Sequence, residues 1–203
     1  SPASTPDLGS NAIHKMTAVI REVEKIAVPG ASEVGPGVMA LTDIISDPHP
    51  GHSVIPSGCR ATYERRLIPG ETLEQVTTDF QAACLAAGAA DTTIELAPLK
   101  YESYTGWSWS QRKWFPAWAL SKDHPLVSTA LRAMRGIGLR PELKAYQFCT
   151  NAAYSAGEAG IPTIGLGPSS ETLAHTIDEY IEIDQLAAAV QAYRAVAQAV
   201  LSG

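Results

Sequence analysis

Residues 161–180 constrain this chain more than any other stretch. Ile161 to Leu166 is a short apolar run that reads as a buried strand. Gly165 and Gly167 then make a glycine-rich turn, and a single histidine, His175, follows ahead of the acidic pair Asp178-Glu179. A histidine on a loop leaving a buried strand is where an open α/β sheet presents a metal ligand or a proton-transfer group. One histidine does not make a metal site, because a catalytic zinc takes three protein ligands and a water. The block therefore predicts part of a metalloenzyme, with most of the metal site outside these 203 residues.

Bulk properties narrow the partners. A net charge of −6 gives no support for a nucleic-acid or anionic-membrane partner. Apolar residues at 45% and charged residues at 18% are an ordinary globular mix, so disorder is not expected. The length suits one large domain or two small ones. Cys59, Cys84 and Cys149 are far apart and odd in number, which favours a reducing, cytoplasmic compartment over a disulfide framework. No apolar run is long enough to cross a bilayer, and no basic-then-apolar leader opens the chain.

Periodicity predicts two structural units. Ile13, Met16, Ile20 and Val23 recur at helical spacing, and Pro29-Gly30 stops that helix. Val38 to Ile45 and Arg60 to Leu67 read as strands. Thr72 to Gln75 has the form of a capping box, before a helix with Leu73, Val76, Phe80, Cys84 and Ala87 on one face and Gly88 at its end. Thr92 to Leu99 is a further strand. This order suits a ferredoxin-like split βαβ unit lacking its first strand. Tyr101 to Trp118 carries four tryptophans without a clean period and reads as a connection. The tryptophans there are expected to pack at the junction, with a substrate-facing role as the alternative.

The second unit starts with a helix that Asp123 caps and whose apolar face is Leu126, Ala130, Ala133, Met134 and Ile137. Leu143 to Phe148 is expected as a strand, Asn151 to Ala159 as a helix and Ile161 to Leu166 as a buried strand. A last helix is capped by Asp184 and turns Leu186, Val190, Tyr193, Ala197 and Val200 inward. That order suits the end of a layered α/β domain.

Four blocks, in order, carry a resemblance. They are Ser4-Thr5-Pro6-Asp7-Leu8-Gly9-Ser10-Asn11-Ala12-Ile13; Val54-Ile55-Pro56-Ser57-Gly58-Cys59-Arg60 with Glu64-Arg65-Arg66-Leu67-Ile68-Pro69-Gly70-Glu71-Thr72; Phe148-Cys149-Thr150-Asn151 with Gly157-Glu158-Ala159-Gly160-Ile161-Pro162-Thr163-Ile164-Gly165; and Gly165 to Tyr180. Together they span nearly the whole chain and resemble the dinuclear zinc amidohydrolases that include acetylornithine deacetylase, succinyl-diaminopimelate desuccinylase, aminoacylase and bacterial glutamate carboxypeptidase. The nearest flavour is a subgroup labelled as peptidases or selenium-metabolism hydrolases.

The resemblance implies an α/β protein with an α+β lid. Residues 1–115 would be a ferredoxin-like lid and dimerisation domain without its first strand. Residues 116–203 would be the C-terminal part of a layered α/β zinc-peptidase catalytic domain. It implies two zinc ions per complete site, with cobalt or manganese as possible substitutes. The substrate would be an N-acyl amino acid or short peptide, cut at an amide bond. A homodimer through the lid is implied, and possibly a second polypeptide carrying the N-terminal catalytic segment. That segment would hold the remaining ligands and the general base, so this chain alone is expected to be inactive and to fold poorly, with no catalytic residue of its own.

By the same resemblance His175 is the one metal ligand here. Asp178 or Glu179 stands where it would orient the ring, against the alternative of solvated charge. Arg66 matches a family arginine that grips the substrate carboxylate, as a guanidinium fork suits. Thr150 and Asn151 match a turn that lines the family's pocket, and Gly165 and Gly167 allow close backbone approach to a ligand, with Gly167 taken as substrate-binding, against the alternative of simple turn geometry. Three positions depart from the pattern: Glu64 for an aspartate, Ser53 for an asparagine, and Pro2 for a lid histidine. His14, His49, His52 and His124 read as structural or surface residues. Ser155 lies in a stretch that superficially resembles a nucleophile elbow but lacks its first glycine. The departures are also what a non-catalytic binding or dimerisation subunit, degenerated from the family, would show. A free-standing ferredoxin-like regulatory module is the remaining alternative, and the catalytic-domain blocks argue against it.

Overall fold

The computed structural model describes residues 2–30, 34–146 and 148–202. They fall into two compact units, with the division at Trp114 and Phe115.

In the first unit α1 (Ala12–Val23) is followed by β1 (Val38–Asp47), β2 (Gly58–Arg66), α2 (Leu73–Ala86), β3 (Pro98–Glu102) and β4 (Ser108–Arg112). Asn11 caps α1 by accepting from the Ile13 amide. Thr72 caps α2 through the Gln75 amide at 3.2 Å. The reciprocal half of the capping box is not made, because the Gln75 side chain bonds Asp79 instead. β1 and β2 are antiparallel, with Val38 opposite Arg66 and Asp47 opposite Gly58, and a bulge between Leu41 and Asp43. The core joins Val19, Val23, Ala83, Cys84 and Ala89, with Met39, Tyr63, Phe80 and Ile94 packed around it. A surface pair, Lys15 and Asp91 at 2.7 Å, holds the Asp91 carboxyl below its usual range.

Two expectations are corrected in this unit. Thr92 to Ala97 forms no strand, although burial still alternates there, with Thr92, Ile94 and Leu96 turned inward. Alternation follows from the pleat, whereas a strand also needs a ladder partner, which this segment lacks among the described residues. The aromatic connection is instead a hairpin, β3 with β4, pairing Tyr101 with Trp109. Tyr101, Trp109 and Trp107 stack along it at 4.4 and 4.8 Å between rings. All three stay at least 40% exposed, so Trp107 and Trp109 are not buried packing.

The second unit holds α3 (Pro125–Gly136), a π-helical turn at Ala153–Glu158, a 3₁₀ turn at Glu171–Leu173 and α4 (Ile183–Leu201). α3 packs on α4 through Ala130, Met134 and Ala192, with Ile164, Leu166 and Val196 against them. The cap of α3 is His124, whose Nδ1 accepts from the Leu126 amide at 3.1 Å, and not Asp123. Asp184 lies in the first turn of α4 and does not cap it.

The inward face of α4 is Ala189 and Ala192, while Leu186, Val190, Tyr193 and Val200 are exposed. Two apolar faces exist on this alanine-rich helix, and close helix packing selects the small one. Leu143 to Tyr146 and Ile161 to Leu166 form no strand among the described residues, and Phe148 lies in a bend. No helix is long and apolar enough to cross a membrane among the described residues.

Candidate functional site

His175 sits on a loop that departs from ordinary backbone geometry. Ser169, His175 and Asp178 have φ of 73°, 61° and 60°, so three of the four left-handed non-glycine residues described fall on this loop. Such conformations persist only where surrounding contacts over-determine them, and they concentrate at functional sites. Three side chains hold the loop. Gln185, in the first turn of α4, accepts from the Ser169 amide at 2.7 Å. Tyr193 donates to the Leu166 carbonyl at 3.1 Å. Glu179 accepts from the His175 amide at 3.1 Å. The Glu179 carboxylate thus bonds the histidine's backbone, where the sequence suggested an acceptor for its ring. Pro168, Ser169, Glu179, Tyr180 and Ile181 line an open depression of about 590 Å³ beside it.

The two turn glycines differ. A Cβ on Gly165 would lie 2.2 Å from Cε2 of Tyr146, so the space at Gly165 is filled by that ring and not left for a ligand. Tyr146 in turn stacks on Phe148 at 5.1 Å. At Gly167 the nearest atom to such a Cβ is Tyr193 Oη at 3.9 Å, so close approach remains open there.

Thr150 and Asn151 organise the π-helical turn. The Thr150 hydroxyl accepts from the Ala152 amide at 3.2 Å, and the Asn151 carbonyl accepts from the Tyr154 amide at 3.0 Å. The Ser155 hydroxyl pairs with that of Thr163 at 3.1 Å, which gives it no base. Among the described cysteines, burial pushes the Cys59 and Cys84 thiols up, away from the reactive thiolate.

Arg66 belongs to the first unit, at the end of β2. Its side chain is 55% exposed and its guanidinium 3.6 Å from Glu64, so the departure from aspartate keeps a salt bridge. Lys113 approaches the same carboxylate at 3.2 Å. The neighbouring Arg65 points to the other face of the strand, is 8% exposed and pairs with Glu71. Glu71 also accepts from the Ile68 amide at 2.8 Å, which fixes the turn after Arg66. Pro2 and Ser53 come together: Pro2 bridges to Val54, and the Ala3 amide donates to the Ser53 carbonyl at 3.0 Å. Ser53 has φ of 56°.

Sequence reasoning missed Gln185, Tyr193 and Lys113. Each acts across a gap no periodic pattern links, and for Gln185 and Tyr193 the only signal was their place on α4. No three histidine, cysteine, aspartate or glutamate side chains come together to hold a metal among the described residues. His175 is one imidazole donor, so this set does not by itself fit a metal.

Comparison with known proteins tests the family resemblance. The chain is 30% identical over 179 residues to the Escherichia coli (strain K12) uncharacterized protein YgeY, covering 87% of the chain and 44% of that protein. It is 26% identical over 188 residues to an N-formyl-4-amino-5-aminomethyl-2-methylpyrimidine deformylase of Halalkalibacterium halodurans, covering 89% of the chain and 44% of the relative. The chain thus spans less than half the length of these relatives. Its fold matches a metallo-carboxypeptidase of Sulfolobus solfataricus at a TM-score of 0.60 and 12% identity, over 96% of the chain and 54% of that structure. A family profile matches residues 7–199, nearly the whole chain, and on that extent the chain belongs to peptidase family M20/M25/M40.

Proposed function

We propose that this chain is part of a metal-dependent hydrolase that cuts the amide bond of an N-acyl amino acid or short peptide. The observation that carries the reading is the family match across residues 7–199, within which His175 lies on a strained, side-chain-stapled loop. One relative is named a deformylase of an N-formyl pyrimidine, which supports hydrolysis of an N-acyl bond as the class. Residues 1–115 act as the lid, with dimerisation through it, and residues 116–203 as the end of the catalytic domain.

In this reading Arg66 holds the substrate carboxylate, Glu64 and Lys113 set the guanidinium's position, and Thr150, Asn151 and Gly167 line the pocket. His175 contributes one neutral imidazole donor to a zinc centre, for which cobalt or manganese can substitute. The other donors and the general base come from outside this chain, in a longer protein or on a second polypeptide, so the chain alone is inactive. Three cysteines, far apart and odd in number, support a reducing, cytoplasmic compartment.

The test is metal analysis and turnover of N-acyl amino acids by the intact protein. His175→Ala lowers bound metal and abolishes turnover, whereas unchanged metal and rate would sink the reading. Arg66→Lys raises KM roughly tenfold or more with metal content unchanged.

A second reading is a non-catalytic binding or dimerisation subunit. The adjacency of Pro2 and Ser53 favours it, since two positions where the family resemblance implies histidine and asparagine meet here with neither. Intact protein that holds metal but turns over no amide would select that reading.

A further inference from the structure

We infer that Glu179 is a positioning residue, whose carboxylate holds the His175 backbone in its left-handed turn and so sets the aim of the imidazole. The inference rests on the reading above only for the importance of His175; the clamp itself stands on geometry.

Four observations carry it. First, His175 adopts φ of 61°, a conformation uncommon outside glycine that histidine enters more readily than most residues, so a local tie can select it. Second, its amide donates to Glu179 Oε2 at 3.1 Å, a charge-assisted bond and so a strong one of its kind. Third, Asp178 is also left-handed, at 60°, and this reverses the chain so that a side chain four positions on returns to the His175 amide. Fourth, the opposite side of the turn is pinned separately, since the Thr176 hydroxyl donates to the Leu173 carbonyl at 2.8 Å and the Ala174 amide to the Glu171 carbonyl at 3.2 Å. Tertiary bonds from Gln185 and Tyr193 reach Ser169 and Leu166 and stop short of His175. The Glu179 bond is therefore the contact that transmits the loop's fixed frame to the histidine. A shorter side chain there leaves the loop tied at its base and loose at His175.

The experiment reads amide hydrogen exchange at His175 by NMR in the full-length protein and in Glu179→Ala, Glu179→Asp and Glu179→Gln. Exchange at His175 rises roughly tenfold in Glu179→Ala, the loss expected for a hydrogen bond to a charged group. It rises similarly in Glu179→Asp, which is one methylene too short, and less in Glu179→Gln, which keeps an acceptor oxygen. Amides of Val23 and Ala192, in the two cores, do not change. Unchanged exchange at His175 in Glu179→Ala overturns the inference, as does equal acceleration at the core amides, which would mean general loosening.

A second readout is the visible absorption of the cobalt-loaded protein, which shifts in Glu179→Ala and is partly restored in Glu179→Gln. If His175→Ala leaves the cobalt spectrum unaltered, the metal reading fails while the exchange data still decide the clamp.

Discussion

Gly165 and His175 are decided by single contacts. Adding one methyl at Gly165 drives it to 2.2 Å from the Tyr146 ring, which stacks on Phe148 and so cannot swing away without breaking a second contact. Gly165→Ala is expected to cost about 1–3 kcal/mol, as overpacking does. The double variant with Tyr146→Ala should cost less than the sum of the two single changes. Urea denaturation of the four proteins checks this, and simple additivity would mean that the ring does not fill the space. The role of Gly165 as a packing seat was illegible in the sequence. A glycine in a turn reads the same whether a ligand or a side chain occupies the gap.

At the scale of elements, the turn between β2 and α2 depends on a part-buried ion pair. Arg65 is 8% exposed and Glu71 10%, and the second Glu71 oxygen takes the Ile68 amide. Glu71→Ala leaves a part-buried guanidinium without its partner, at an expected cost of about 1.5–3 kcal/mol. Thermal unfolding measures it, and a change below about 1 kcal/mol would show that the pair is dispensable.

The two faces of α4 give a paired prediction. Ala192 is 2% exposed in the core with α3, so Ala192→Leu should destabilise by about 1–3 kcal/mol. Leu186 is 50% exposed, so Leu186→Ser should fall within about 0.5 kcal/mol. The reverse order would restore the face that periodicity selected. Periodicity found α1, α2, α3 and α4 and the pairing strands β1 and β2, because each carries its own local pattern. It did not find the β3–β4 hairpin, whose stacked aromatics cover one side of a short ladder without alternating cleanly in sequence.

Taken whole, the chain carries one proposed ligand and one proposed substrate grip, in different units. The described residues bring no three metal donors together. The expected outcome is that the 203-residue chain by itself takes up no stoichiometric zinc on equilibrium dialysis, with His175→Ala indistinguishable from the parent. Tight uptake that His175→Ala abolishes would mean that the chain completes a centre alone.

The sequence alone carried the family, since the order of four blocks survives without any contact being known. It also carried the helices and the β1–β2 pair, because helix periodicity, caps and alternation are local properties of the chain. The tertiary structure decided which extended segments found ladder partners and which face of α4 is buried. It also decided that Gly165 seats a ring, and that Glu179 bonds the backbone of His175. Those outcomes depend on atoms distant in sequence or on a backbone reversal, and neither leaves a period to read.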